Sequence, residues 1–188
     1  MKKRGMRCLA LILVGLLALP PLSFAQNAKL TNIIVTNTQD DLLLYLSVKN
    51  AFPPEIEETI KSGVPAAFSF YINLYQVRSF WPDKEVVELD VTHLIKYDNL
   101  KKEYMVTRSW EGERPTAVES FEEAQMLMTE IDAMAIASLQ LLEKNKQYQI
   151  RAKAKLSKLT LPFYLHYVLF FVSLWDFETD WYTIDFIY

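Results

Sequence analysis

From Leu30 onward the chain is dominated by short runs in which apolar and polar residues alternate, the period of a strand whose two faces meet different surroundings. "LTNIIVTN" and "LLLYLSVKN" flank the turn-forming cluster "TQDD" and predict a hairpin. In "VPAAFSFYINLYQV", Phe68, Phe70, Ile72 and Leu74 share one face, while Ser69, Tyr71, Asn73 and Tyr75 share the other. That strand has a dry face and an aromatic-polar face. The turn "WPDK", the return strand "EVVELDVTHLI", the turn "KYDNLKK" and the strand "EYMVTRSW" complete a three-stranded meander.

Two stretches break this period. "FPPEIEETIKSG" carries prolines at its start, glutamates in its first turns and Gly63 just past its end, which predicts a short helix from about Pro54 to Ser62. Ser120 and Glu123 form a capping box, so a second helix starts there. Helix propensity alone would carry it to Glu143. "QYQIRAKAKL" nevertheless alternates cleanly, with Tyr148, Ile150, Ala152, Ala154 and Leu156 against Gln149, Arg151, Lys153 and Lys155. The helix is therefore expected to end near Ile131. "MAIASLQLL" is then expected to pair with that strand around Lys144 and Asn145.

Toward the end, "LPFYLHYVLFFVSLW" (Leu161 to Trp175) follows a capping Thr160, with Pro162 in its first turn, and predicts a third helix. It is shorter than the roughly twenty residues that span a bilayer. Apolar nearly all round, it packs either into the core or onto a membrane or partner. In the closing stretch, Tyr182, Ile184, Phe186 and Tyr188 alternate with Trp181, Thr183 and Asp185, a final strand that closes a sheet. No internal repeat or linker appears. The expected fold is mainly β: a two-layer antiparallel β-sandwich, immunoglobulin-like, with two or three short helices between strands, in one domain over residues 26–188.

The first twenty-five residues stand outside that pattern. Lys2, Lys3, Arg4 and Arg7 precede the apolar run from Cys8 to Leu19, and Ser23 and Ala25 supply small residues. This is the arrangement of a cleaved secretory signal, with cleavage expected near Ala25–Gln26; the rival is an uncleaved anchor, for which the run is short. Cys8 is the only cysteine, so residues 26–188 exclude disulfides, thiol catalysis and cysteine metal sites. The formal net charge of −3 becomes −7 once those four cations leave, which argues against a nucleic-acid partner. Gly63 and Gly112 alone cannot build a phosphate-cradling loop, and two histidines, His93 and His166, are a poor start for zinc. No cofactor is expected.

Four groups of residues carry candidate chemistry. Asp176, Glu178 and Asp180 recur at every second position with Asp185 nearby, either a partial calcium ligand set or a solvated turn. Arg151, Lys153, Lys155 and Lys158 form a basic stripe, suited to headgroups or an acidic partner, or else lysines that discourage edge pairing. Arg78, Trp81 and Asp83 surround one turn, and Arg108 and Trp110 end another strand beside Tyr97, Asp98 and Tyr104. Arginines among aromatics make binding hot spots, and they also cap sandwich cores. His166 and Trp175, on the apolar segment, join the binding candidates. No serine sits in a Gly-x-Ser-x-Gly elbow, and a carboxylate-pair hydrolase is not readable from spacing alone.

Taken in order, "SGVPAAFSFYINLYQVRSFWPD", "IKYDNLKKEYMVTRSW", "SFEEAQMLM", "YQIRAKAKL", "LPFYLHYVLFF" and "LWDFETDWYTIDFIY" resemble an uncharacterised proteobacterial exported family, the domain-of-unknown-function 4390 family. The resemblance spans nearly all of residues 26–188. It implies a Gram-negative periplasm and, through relatives encoded beside sensor kinases, a link to envelope signalling. It supplies no catalytic residues. The leading expectation is an exported, non-enzymatic interaction module with an envelope protein as partner. The alternatives are a protein bound peripherally to the outer membrane, and a carboxylate-dependent hydrolase or calcium-dependent binder.

Overall fold

The computed structural model describes residues 28–52, 56–112, 114–158 and 177–188. The expected signal segment, the apolar segment 161–175 with His166 and Trp175, and Asp176 lie outside the described residues. Ten strands and two helices follow one another in the described chain. The strands are β1 (Lys29–Asn37), β2 (Asp41–Lys49), β3 (Ala66–Gln76), β4 (Lys84–Asp98), β5 (Glu103–Arg108), β6 (Thr116–Val118), β7 (Glu130–Ser138), β8 (Gln147–Lys158), β9 (Phe177–Glu178) and β10 (Tyr182–Ile187). The helices are α1 (Ile56–Lys61) and α2 (Phe121–Thr129).

The first hairpin forms as its pattern demands. Thr38 Oγ1 accepts the N–H groups of Asp40 and Asp41 at 3.2 and 2.9 Å, and this closes the turn. Leu42, Leu44, Leu46 and Val48 of β2 then point into the core. Helix α1 buries Ile56 and Ile60 and stops at Gly63, whose φ of +97° admits the reversal. There Val64 N–H donates to the Thr59 carbonyl and Gly63 N–H to that of Ile60, the paired bonds of a Schellman motif. Helix α2 is capped by Ser120, whose side chain accepts from Glu123 N–H at 3.1 Å.

All strand pairs are antiparallel, in two sheets. One has the order β1-β2-β7; the other has seven strands, ordered β10-β8-β3-β4-β5-β6 with β9 also on β8. The fold is thus mainly β, a two-layer sandwich, with sheets more unequal than the four and three strands of an immunoglobulin constant domain. Between the layers, Leu44, Leu46, Ile131 and Ile136 of the small sheet share one cluster with Phe68, Phe70, Leu74 and Ile150 of the large one. Each such side chain stabilises the fold by about 1.5–3 kcal/mol relative to exposure.

The expected hairpin between "MAIASLQLL" and "QYQIRAKAKL" does not form. Strand β7 pairs with β2 in the small sheet, and β8 lies between β3 and β10 in the large one. The reason is the connector: Leu139–Leu141 makes a 3-10 turn, Leu139 and Leu142 are buried, and Leu139 N–H is held by the Asp40 carbonyl at 2.7 Å. The chain therefore crosses from one layer to the other. Nor are the cations of β8 an edge defence, because β8 is flanked on both sides.

Candidate functional site

On the outer face of the large sheet, register brings distant residues into three rows. Tyr71 of β3 stands opposite Asp90 of β4 and Lys153 of β8. Asn73 stands between Glu88 and Arg151, with Thr183 of β10 beyond Arg151. Tyr75 stands between Glu85 and Gln149, with Asp185 beyond. The middle row is short between two tyrosine rows, so a groove of about 490 Å³ runs across the strands from Glu88 to Thr183. Its volume lies within the roughly 300–1,000 Å³ of small-molecule sites.

The wall nearest Lys153 is completed by Trp181, and a bulge puts it there. Between Lys155 and Ala152 of β8 the facing chain runs from Glu178 to Tyr182, one residue more than β8 uses. Buried Thr179 anchors the extra residue: its N–H donates to the Ala154 carbonyl at 2.9 Å, and its Oγ1 accepts from Ala154 N–H at 3.1 Å. Trp181 emerges half-exposed, with Lys153 Nζ 5.0 Å from its ring centroid.

Both groove cations are held between rings and carboxylates. Arg151 lies 4.7 Å from the Tyr75 ring, donates from Nε to Gln149 Oε1 at 2.6 Å and reaches Asp83 Oδ2 at 3.3 Å. Lys153 lies 5.4 Å from the Tyr71 ring and 3.4 Å from Glu178 Oε2. Such contacts are worth about 0.5–1 kcal/mol each at exposed sites. They place the cations as fixed donors rather than as a free positive field. At the floor, Asn73 is only 8 % exposed; its Nδ2 donates to Tyr75 Oη at 3.4 Å, and Tyr75 Oη–H donates to Glu85 at 3.3 Å. Asn73 Oδ1 meets no donor among the described residues and opens to the groove.

The candidate residues read from the sequence fall at separate places. Arg78, Trp81 and Asp83 sit at the β3–β4 turn beside the groove, where Asp83 Oδ1 accepts from Arg78 N–H at 3.3 Å and Oδ2 binds Arg151. Trp81 is 75 % exposed and its neighbour Phe80 94 %. Arg108 and Trp110 lie away from this turn, at the end of β5, packed over buried His93. Trp110 Nε1–H donates to His93 Nε2 at 3.0 Å, and Arg108 binds Glu111 at 2.5 Å and stacks 5.4 Å from the Trp110 ring. An indole can only donate and a carbonyl only accept, so His93 carries its proton on Nδ1 and gives it to the Met128 carbonyl at 3.1 Å. Burial pushes His93 down to about 4, opposed by the Met128 bond and aided by the Arg108 charge.

Of the acidic triplet, Glu178 is engaged by Lys153, Asp180 stands exposed, and no group of three metal-ligating side chains converges among the described residues. The groove residues that the sequence did not single out as a site are Tyr71, Asn73, Tyr75, Glu88, Trp181 and Thr183. For the three on β3 the signal is that strand's aromatic-polar face; for Glu88, Trp181 and Thr183, on other segments, only the sheet register supplies one.

The family model described as a domain of unknown function, DUF4390, matches residues 25–185. No curated protein and no solved structure matches the chain.

Proposed function

Since the chain belongs to the DUF4390 family, described as a domain of unknown function, its role has to be read from the groove, and we propose that it is a non-enzymatic binding module of the cell envelope. It is exported to the periplasm with cleavage near Ala25–Gln26, and it serves envelope signalling by holding a ligand or envelope partner in that groove. One observation carries this reading: Asn73, 8 % exposed as a residue, presents an Oδ1 that meets no donor among the described residues and is open at the floor of a groove with aromatic walls. An acceptor held open there is available to a hydroxyl or N–H donor that a ligand brings, in place of water. The carboxylates beside it support binding over catalysis, because Asp83, Glu85 and Glu178 each hold a groove side chain in place.

Hydrogen exchange of the purified protein, with and without a soluble periplasmic extract, tests the binding role. Protection is expected at residues 71–75, 151–153 and 181–183; no protection there removes it. Alkaline phosphatase fused after Tyr188, active only where disulfides form, tests export. It should be active with residues 1–25 present and inactive without them.

A second reading, peripheral attachment to the outer membrane, is favoured by the β3–β4 turn beside the groove and the end of β10. Phe80, Trp81 and Ile187 are 94, 75 and 77 % exposed, and Val77 and Ile187 both adjoin Gln147. Aromatic side chains at a tip suit the membrane interface. Co-sedimentation with lipid vesicles, lost in Trp81→Ala and kept in Trp181→Ala, would establish that reading.

A further inference from the structure

Resting on the binding-module reading, we propose that the groove is a saccharide site, made for a short, uncharged, hydroxyl-rich oligosaccharide lying across β4, β3, β8 and β10. Three features select this class.

The walls come first. Tyr71, Tyr75 and Trp181 stand along the groove, and Trp181 keeps half of its surface open. A sugar ring presents a flat patch of C–H bonds that stacks on such a face, while its hydroxyls point sideways. The floor answers those hydroxyls. Glu88, Asn73, Arg151 and Thr183 follow one another in register, giving an acceptor, an amide, a forked donor and a hydroxyl. Asn73 Oδ1, open at the groove floor, supplies an acceptor for a sugar hydroxyl. Four strands at about 4.8 Å spacing make this row roughly 14 Å long, enough for a short oligosaccharide.

Charge excludes the nearest rivals. Arg151 and Lys153 are neutralised by Asp83 and Glu178, and Glu88 adds a further negative charge. A phosphorylated ligand or an acidic peptide would meet no net positive field here. A peptide added as a strand needs an open sheet edge, and a peptide anchored by side chains needs apolar pockets. This groove runs across paired strands over a polar floor, so it offers neither.

Titration calorimetry of the full chain against short chito-, malto- and cello-oligosaccharides tests the proposal. At least one series should bind, quench tryptophan fluorescence and show little salt dependence. Trp181→Ala and Thr183→Val should each weaken binding about tenfold or more, with the melting temperature held within a few degrees. Asn73→Leu should abolish binding, and circular dichroism distinguishes that loss from misfolding. Three results would overturn the proposal: no binding by any neutral series, preference for phosphorylated or sulphated sugars with steep salt dependence, or wild-type affinity in Trp181→Ala. If neutral sugars fail while the periplasmic extract still protects residues 71–75, only the ligand class falls. If both fail, the module reading falls with it.

Discussion

The two faces of β3 and β8 are built from the same strands in the same register, yet they obey different constraints. On the inner face Phe70 stands opposite Ala154 and Leu74 opposite Ile150, all within 1 % of full burial. One residue along, on the outer face, Tyr71 stands opposite Lys153 and Asn73 opposite Arg151, and these two cations each have a ring and a carboxylate. Volume governs the first face, because close-packed interiors feel the loss of single methylenes. Pairing and geometry govern the second. Stability and binding should therefore separate by parity along a single strand.

The largest effect expected from this contrast is on the inner side. Phe70→Ala should cost about 3–5 kcal/mol in urea unfolding. A cost below about 1 kcal/mol would mean that the two layers do not meet as described.

The inner face also holds a titratable group, His93, buried and neutral. Its folded value is lowered from 6.5 to about 4, so between those values the unfolded chain binds a proton that the folded chain refuses. Stability should therefore be full above pH 6.5 and fall as the pH drops toward 4, by on the order of 3 kcal/mol. The lowered carboxylates Glu57, held by Lys61, and Asp98, held by the Lys101 and Leu100 amides, release their contributions only as pH falls further through their own folded values. Urea midpoints across this range should slope in the wild type and flatten in His93→Gln, itself less stable at neutral pH. A flat wild-type profile would contradict the burial of His93.

Thr179→Val lies on the boundary between the two constraints. It removes a hydroxyl that serves Ala154 and the Asp180 carbonyl, at about 1–2 kcal/mol. It should also weaken any groove ligand without touching it, because Trp181 loses its anchor; unchanged affinity would separate the bulge from the site.

The smallest effect belongs to Lys153→Ala, expected to shift stability by less than about 1 kcal/mol because its ring and ion contacts are partly solvated. A larger loss on melting would show that the outer face carries structural weight too.

Much of this architecture is legible in the sequence. The alternation assigns Phe68 to Tyr75 of β3 and Tyr148 to Leu156 of β8 to their faces, Ser120 and Gly63 mark helix ends, and "TQDD" marks a turn. What alternation does not encode is the neighbour. Strand β7 was expected beside β8 because the two are close in sequence, whereas buried Leu139 and Leu142 direct the chain to the opposite layer. The groove was hidden for the same reason. Tyr71 and Tyr75, the basic stripe and Trp181 each stand out in the sequence, but only the β3–β8–β10 register makes them one surface. Arg108 and Trp110 gave the same compositional signal as Arg78 and Trp81, and what distinguishes them, a buried imidazole below, has no local signature.

The bulge at Thr179 carries a consequence for how this chain tolerates change in length. From Glu178 to Tyr182 the chain carries a spare residue, so one can be lost there without changing which way the following strand presents itself. Removing one there would bring the count level with β8, so the bulge would be lost while Thr183 stayed opposite Arg151 and Ile184 opposite Ile150; the same deletion past Tyr182 has no spare residue to draw on and would turn the rest of β10 over.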